Sequence, residues 1–339
     1  MRQPVMPLMA VPKGEVPGCG HCRVLGKRAL CQRLHEDSAS MLAAFPLHKR
    51  GDRMLIRLGA IMSLVLLLPA CSTGQLVARG AAPLIDNGVT AMNRETDLGL
   101  AQASMPANLK MLEALLIADP GNVAYQLQAA MGFYGYTLAF VESANPVRAA
   151  GLYRRARAHA LIALGDAGMP DAVLTGSTAE FERALAALKQ DDVPALFWTA
   201  SAWGKWIELQ LDDPARLAEL PRVEAMMQRV LVLDETYYYG GAHLFFGAYY
   251  GGRAPMFGGD FARAAKHFDR AAELNHQQLL LVEVYRARYL LRQMGEREAF
   301  HAALTRVLET SVANPELNLA NAVAKQEAAA LLAQEKDLF

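Results

Sequence analysis

A chain of 339 residues with 53% hydrophobic side chains is long enough to bury a sizeable core, and its 34 Lys/Arg balance 34 Asp/Glu. The balance is uneven: residues 1–70 hold 10 basic and 4 acidic side chains, leaving 24 and 30 for the remainder. That acidic body has no electrostatic case for nucleic acid, and its only cysteine, Cys71, excludes a disulfide framework and any other thiol chemistry.

Residues 1–53 are rich in Pro, Gly and Arg and show no helical period. They are expected to be an N-terminal extension ahead of a translation start at Met54. The alternative is a small zinc site from Cys19-x-x-Cys22, Cys31 and His35, for which one Cys-x-x-Cys pair is thin support. Residues 54–70 read as a lipoprotein signal. Lys49, Arg50, Arg53 and Arg57 precede an uncharged stretch, Leu58 to Ala70, of 13 residues, and Leu68-Pro69-Ala70-Cys71 closes it. A membrane-spanning helix needs roughly 20 residues. Cleavage before Cys71 would leave that thiol for a diacylglycerol anchor. Ser72 stands where an Asp often retains lipoproteins at the inner membrane, so the outer membrane is favoured.

Residues 71–339 form the body, and its periodicity is helical throughout. Ala and Leu recur at three- and four-residue steps and nothing alternates as a strand does. The expected fold is all-α. Breaks are expected at Asp119-Pro120-Gly121-Asn122, Gly165 to Pro170, Asp191 to Pro194, Asp212-Asp213-Pro214, Gly251 to Gly259, Gly295 and Asn314-Pro315, with the paired Asp residues acting as caps. The helices look repeated. The clearest unit runs from Tyr237 to Leu274, with Gly241, Phe245 and Tyr249 on its first helix and Ala264, Ala265, Phe268, Ala271 and Ala272 on its second. That pattern resembles a tetratricopeptide hairpin of about 34 residues. Further units start at Asp119, at Val193 and near Leu279, giving about four degenerate repeats in an α-solenoid. Pro315 to Leu332 is expected to cap it.

Enzyme motifs are missing. There is no Gly-x-Ser-x-Gly elbow and no phosphate loop with a Gly-Lys-Ser/Thr ending, and no helix carries two histidines three or four apart. No catalytic residue, metal or cofactor is expected. The Gly251 to Gly259 loop, which contains Arg253, is either an irregular connection or a phosphate cradle. Arg154-Arg155-x-Arg157 is either a solvated helix face or an anion contact. The aromatic residues are the better lead. Trp198, Trp203 and Trp206 fall within an arc of about 140° on one helix, at about 100° per residue. Tyr237, Tyr238 and Tyr239, read as consecutive helical residues, point in three directions, so at least one phenol must meet solvent, a cavity or a partner. Phe246 and Tyr250 continue the aromatic surface. These eight are the candidates for binding an apolar ligand with a polar end, or a protein partner.

Several segments resemble a known family, the TRAP-transporter-associated T components. They are Asp192-Val193-Pro194-Ala195-Leu196-Phe197-Trp198-Thr199-Ala200 with Trp203-Gly204-x-Trp206, Leu231-x-Leu233-Asp234-Glu235-x-Tyr237-Tyr238-Tyr239-Gly240, Gly258-Gly259-Asp260 with His267-Phe268, and Leu319-Ala320-Asn321 through Asp337-Leu338-Phe339. The resemblance implies a periplasm-facing lipoprotein of tetratricopeptide-like fold that serves a tripartite ATP-independent periplasmic transporter. It implies docking of the solute-binding subunit, passage of a hydrophobic ligand, and assembly as a trimer. The alternative is a tetratricopeptide scaffold lipoprotein for envelope or outer-membrane assembly. A hydrolase would instead need hydrogen-bonded polar groups of perturbed acidity in the main cleft.

Overall fold

The computed structural model describes residues 73–339, and among the described residues every regular element is helical. The extension, the signal, the zinc alternative and Cys71 lie outside the described residues. In chain order the helices are α1 (Thr73–Gly80), α2 (Ala82–Asn93), α3 (Leu98–Ala118), α4 (Val123–Phe140), α5 (Pro146–Asp166), α6 (Asp171–Thr175), α7 (Thr178–Ala187), α8 (Val193–Glu208), α9 (Pro214–Leu217), α10 (Leu220–Asp234), α11 (Tyr237–Gly251), α12 (Phe261–Leu274), α13 (Leu281–Tyr285), α14 (Arg292–Met294), α15 (Arg297–Glu309), α16 (Asn318–Ala333) and α17 (Glu335–Leu338).

Short polar side chains start these helices by satisfying orphan N–H groups. Asp97 accepts from the Gly99 N–H at 2.8 Å and the Leu100 N–H at 3.1 Å. Asn122, Asn145 and Asp260 do the same for α4, α5 and α12. Ser177 and Glu180 cap α7 reciprocally. Each expected break falls at a helix boundary. Asp213 caps α9 through the Ala215 N–H at 2.9 Å, as a capping acid should. Asp192 does not cap α8. It accepts from the Lys189 N–H at 2.8 Å and closes the 3₁₀ turn Gln190–Asp192.

Helix α8 is the axis of the packing. Thirteen of its sixteen residues are buried, which marks a helix covered on all sides. It packs on α4, α5, α10 and α11. The buried face of α5 is Ala149, Ala150, Ala156, Ala160 and Ala163 around Tyr153. Such small side chains let α4 and α8 approach closely on either side. Helices α11 and α12 cross closely through glycine. A Cβ at Gly247 would stand 2.7 Å from the Phe268 ring, and Gly240 and Gly251 face Ala271 and Ala264 in the same seam.

Three features depart from the expectations. Tyr237 to Tyr239 do not form an ordinary helical turn. Tyr238 (φ 51°), Tyr239 (φ 61°) and Gly240 (φ 75°) are left-handed, so α11 begins with a reversed turn. For two aromatic residues this costs on the order of 1–2 kcal/mol each. The helix after α13 widens into a π segment, Arg286–Leu291, before α14. Finally, α16 is more than an end cap. Besides α13 and α15 it packs on α2 and α3. Glu316, just before it, pairs with Arg94, and the Asn318 side-chain amide donates to the Arg94 carbonyl at 3.1 Å. Buried Asn321 accepts from the Leu280 N–H at 3.0 Å and donates to the Gln278 carbonyl at 2.9 Å, tying the end of the chain to the segment before α13.

The glycine seam makes a direct prediction. Gly247→Ala forces a methyl group against the fully buried Phe268 ring. Thermal or denaturant melts should show a loss of about 1–3 kcal/mol with helicity retained. A melt equal to wild type would mean that α11 and α12 do not cross this closely.

Candidate functional site

A cavity of about 560 Å³ lies among α3, α4, α8, α11, α13 and α16, a volume typical of small-molecule sites. Aromatic side chains make much of its wall. Trp198 and Tyr238 meet edge-on at 4.6 Å between ring centroids, and Tyr134 stands against Trp198 at 5.4 Å. Phe197 contacts both Trp198 and Tyr238. The Trp198 indole N–H donates to the Tyr237 hydroxyl at 3.2 Å, which fixes the indole plane. The left-handed turn places Tyr238 on the wall, and the π segment carries Tyr289 there beside Tyr285.

Of the eight aromatic candidates, the structure places Trp198 and Tyr238 on this wall. Tyr237 is buried behind Trp198 and Tyr239 is half-buried, its hydroxyl raised above the usual phenol range first by burial and then by Glu316. Trp203 donates to Glu219 at 2.7 Å beneath the Arg157 guanidinium, and Trp206 lies beneath Arg216. Phe246 and Tyr250 stack on His267 in the α11–α12 seam. The wall takes the side of α8 that runs from Ile207 through Gly204 and Lys205 to Trp198, and Trp203 and Trp206 lie on the other side, so only the first of the three indoles reaches it. Arg154 of the arginine cluster is exposed, as a solvated helix face requires, while Arg155 pairs with Glu113 and the largely covered Arg157 with Asp171.

At one part of the wall a charge cluster interrupts the apolar surface. Lys205, buried on α8, donates to Glu142 Oε1 at 2.7 Å and to Glu208 Oε2 at 2.8 Å. The Tyr153 hydroxyl donates to the other Glu142 oxygen, and the Tyr289 hydroxyl donates to Glu208 Oε1 at 2.9 Å. Burial alone would pull the Lys205 ammonium down, but Glu208, Tyr289, Glu142 and Tyr153 override it and hold it well above the usual lysine range. Burial would raise Glu208, yet Lys205 and the Tyr289 hydroxyl hold it below the usual carboxylate range. Burial pushes the phenols of Tyr153 and Tyr289 up. Lys205 and Glu208 are therefore charged and the phenols neutral.

The sequence reading missed this cluster because Glu142 and Lys205 are 63 positions apart. A usable signal was present, a lone lysine between Trp203 and Trp206 on an otherwise apolar helix. It also missed a histidine pair built from two helices: His243 Nδ1 and His267 Nδ1 are 2.9 Å apart, with His243 Nε2 3.1 Å from Glu235. Burial, and then the charges of His243 and Arg263, pull His267 down to about 4. Among the described residues no group of three or more His, Cys, Asp or Glu is placed to hold a metal ion.

The model of the protein family described as TRAP transporter T-component matches residues 94–339. That span contains the whole cavity wall. No curated protein matches the chain.

Lys205→Met should expose the function of the cluster in stability. Removing the ammonium leaves Glu142 and Glu208 as unpaired carboxylates, Glu142 only 15% exposed. The loss should be about 3 kcal/mol near pH 7, the lower end for a broken buried pair because Glu208 is partly open to water. In the variant the folded-state carboxylate pKa rises above its unfolded value. The folded form then binds more protons, so the deficit should shrink from pH 7 towards pH 5. Thermal melts across that range check this, and a deficit independent of pH would contradict it.

Proposed function

The chain belongs to the TRAP transporter T-component family, and from that premise we propose that it is a lipid-anchored accessory protein on the periplasmic side, which docks the solute-binding subunit and holds an apolar ligand between its helices. The observation that carries the ligand part is the aromatic cavity of about 560 Å³ bounded by Trp198, Tyr134, Tyr238 and Tyr285. Ligand pockets of this kind bury most of a small apolar molecule and use few polar groups to orient it.

The helix pairs α4–α5 and α11–α12 are read as degenerate tetratricopeptide-like hairpins, supported by their close lengthwise packing through Ala and Gly. Assembly as a trimer and an outer-membrane location belong to the same reading, the latter from Ser72 after Cys71. Among the described residues no helix is long and apolar enough to cross a membrane, so Cys71 is the proposed tether.

The acidity pattern supports binding over catalysis. A nucleophilic or basic lysine needs a depressed pKa, whereas Lys205 is held protonated between carboxylates. Glu142 and Glu208 already use two of its three N–H donors.

Two results test the proposal. Detergent extracts containing the chain and the TRAP solute-binding protein should yield both in one pull-down, and recovery of outer-membrane assembly proteins instead would favour a scaffold role. Cys71→Ala should move the chain from the membrane fraction to the soluble fraction, and retention in membranes would refute the tether.

A further inference from the structure

We propose that the cavity takes an uncharged alcohol of lipid character, its hydroxyl held by the phenols of Tyr134 and Tyr285. This rests on the cavity reading above and names its ligand class. Four tyrosines surround the Lys205 cluster as two contacting pairs. Tyr134 lies against Tyr153 at 5.4 Å between ring centroids, and Tyr285 against Tyr289 at 5.3 Å. In each pair one hydroxyl is spent on the cluster: Tyr153 donates to Glu142, and Tyr289 donates to Glu208 at 2.9 Å. The other hydroxyl is not. Among the described residues Tyr134 and Tyr285 find no hydrogen-bond partner for it, although Tyr285 is only 7% exposed. Neither oxygen is sealed off by protein, and both residues line the cavity, so both hydroxyls open into it. Ser201, buried one turn before Lys205 on α8, adds a third open hydroxyl to the same wall.

Hydroxyls withdrawn from bulk water without a partner are costly, and a bound polar group would satisfy them. The charged groups nearby are already used by one another. Glu142 Oε1 and Glu208 Oε2 accept from Lys205, and their remaining oxygens accept from Tyr153 and Tyr289. An anionic head would meet two carboxylates around one ammonium. A cationic head would stand beside that ammonium, with no carboxylate oxygen of the cluster lacking a donor. What the wall still offers is neutral.

Burial holds the phenols of Tyr134 and Tyr285 above their usual range, so both stay protonated. After burial, Lys205 acts most on Tyr134, and Tyr134 and then Lys205 act on Tyr285, which places the two hydroxyls at the same part of the cavity. An alcohol matches such a pair, having one O–H to donate and lone pairs to accept. Leu217, Leu220, Leu244 and Phe245, elsewhere on the wall, offer apolar contact to the rest of the molecule. Head and body together describe a neutral apolar alcohol.

The test is displacement of the neutral fluorophore 1-N-phenylnaphthylamine from the purified full-length chain at pH 8. The competitors are decan-1-ol, decanoate and decyltrimethylammonium, which share a chain and differ in the charge of the head. Decan-1-ol should displace the fluorophore at a lower concentration than either ion. The double variant Tyr134→Phe, Tyr285→Phe keeps both rings and removes hydroxyls that bond nothing in the protein, so it should melt as the wild type does. It should need about tenfold more decan-1-ol, relative to the fluorophore's own affinity, towards the lower end for two neutral hydrogen bonds. Tighter binding of either ion by the wild type, or undiminished binding of decan-1-ol by the folded double variant, would overturn the alcohol assignment while leaving the cavity reading intact. Failure of the wild type to take up fluorophore or any competitor would overturn the cavity reading itself. The comparison of alcohol and ions is made first on wild type, and the single variants Tyr134→Phe and Tyr285→Phe take the place of the double one should it not fold.

Discussion

Helix α8 is buried on nearly every side, yet it carries an ammonium into the interior at Lys205. That single charge is tolerable only because Glu142, reaching in just past the end of α4, and Glu208, on the last turn of α8, close around it with Tyr153 and Tyr289 completing their lone pairs. The cluster therefore links α4, α5, α8 and the π segment through directional bonds, where apolar packing alone would allow them to slide. The side chains that need a fixed position at the cavity, Trp198 and Tyr289 above all, sit on the elements the cluster holds together.

The irregular backbone lies where the cavity needs it. A right-handed start to α11 would send Tyr238 elsewhere. The left-handed turn instead sets its ring against Trp198, with Tyr237 on the indole N–H. Gly240 makes the turn feasible and also admits Ala271 and Leu274 closely. The strain in Tyr238 and Tyr239 is offset by burial of aromatic surface on both sides of the turn. Closure of the chain by α16, which brings Leu319 and Val323 to the cavity, turns a row of packed helices into an enclosure.

What was legible in the sequence was local. Asp, Asn, Pro and Gly at helix ends fixed the boundaries because each acts on backbone groups two or three residues away. The alanine spacing of α5 and the small residues of α11 announced close helix crossings for the same reason. The family resemblance was legible because its motifs are unusually specific, and the family match covers the region that carries most of them. The cavity was legible only in part. Trp198 and Tyr238 reach it, but nothing local distinguishes them from Trp203 or Tyr239. Which ring faces inward is decided by the hand of one turn and by contacts with helices far away in the chain. Lys205, Glu142 and Tyr289 were hidden for that reason, since their partners are set by the tertiary fold.

The central claim is that an apolar void, bounded by Trp198 and Tyr238, receives a ligand. The most direct measurement is one-site uptake of 1-N-phenylnaphthylamine by the wild type and by Ala248→Trp, which fills the void from α11 with little strain because the indole enters space that is already empty. The account predicts saturable uptake in the wild type and its loss in the variant, with both melting alike. Undiminished uptake by a well-folded Ala248→Trp would contradict it.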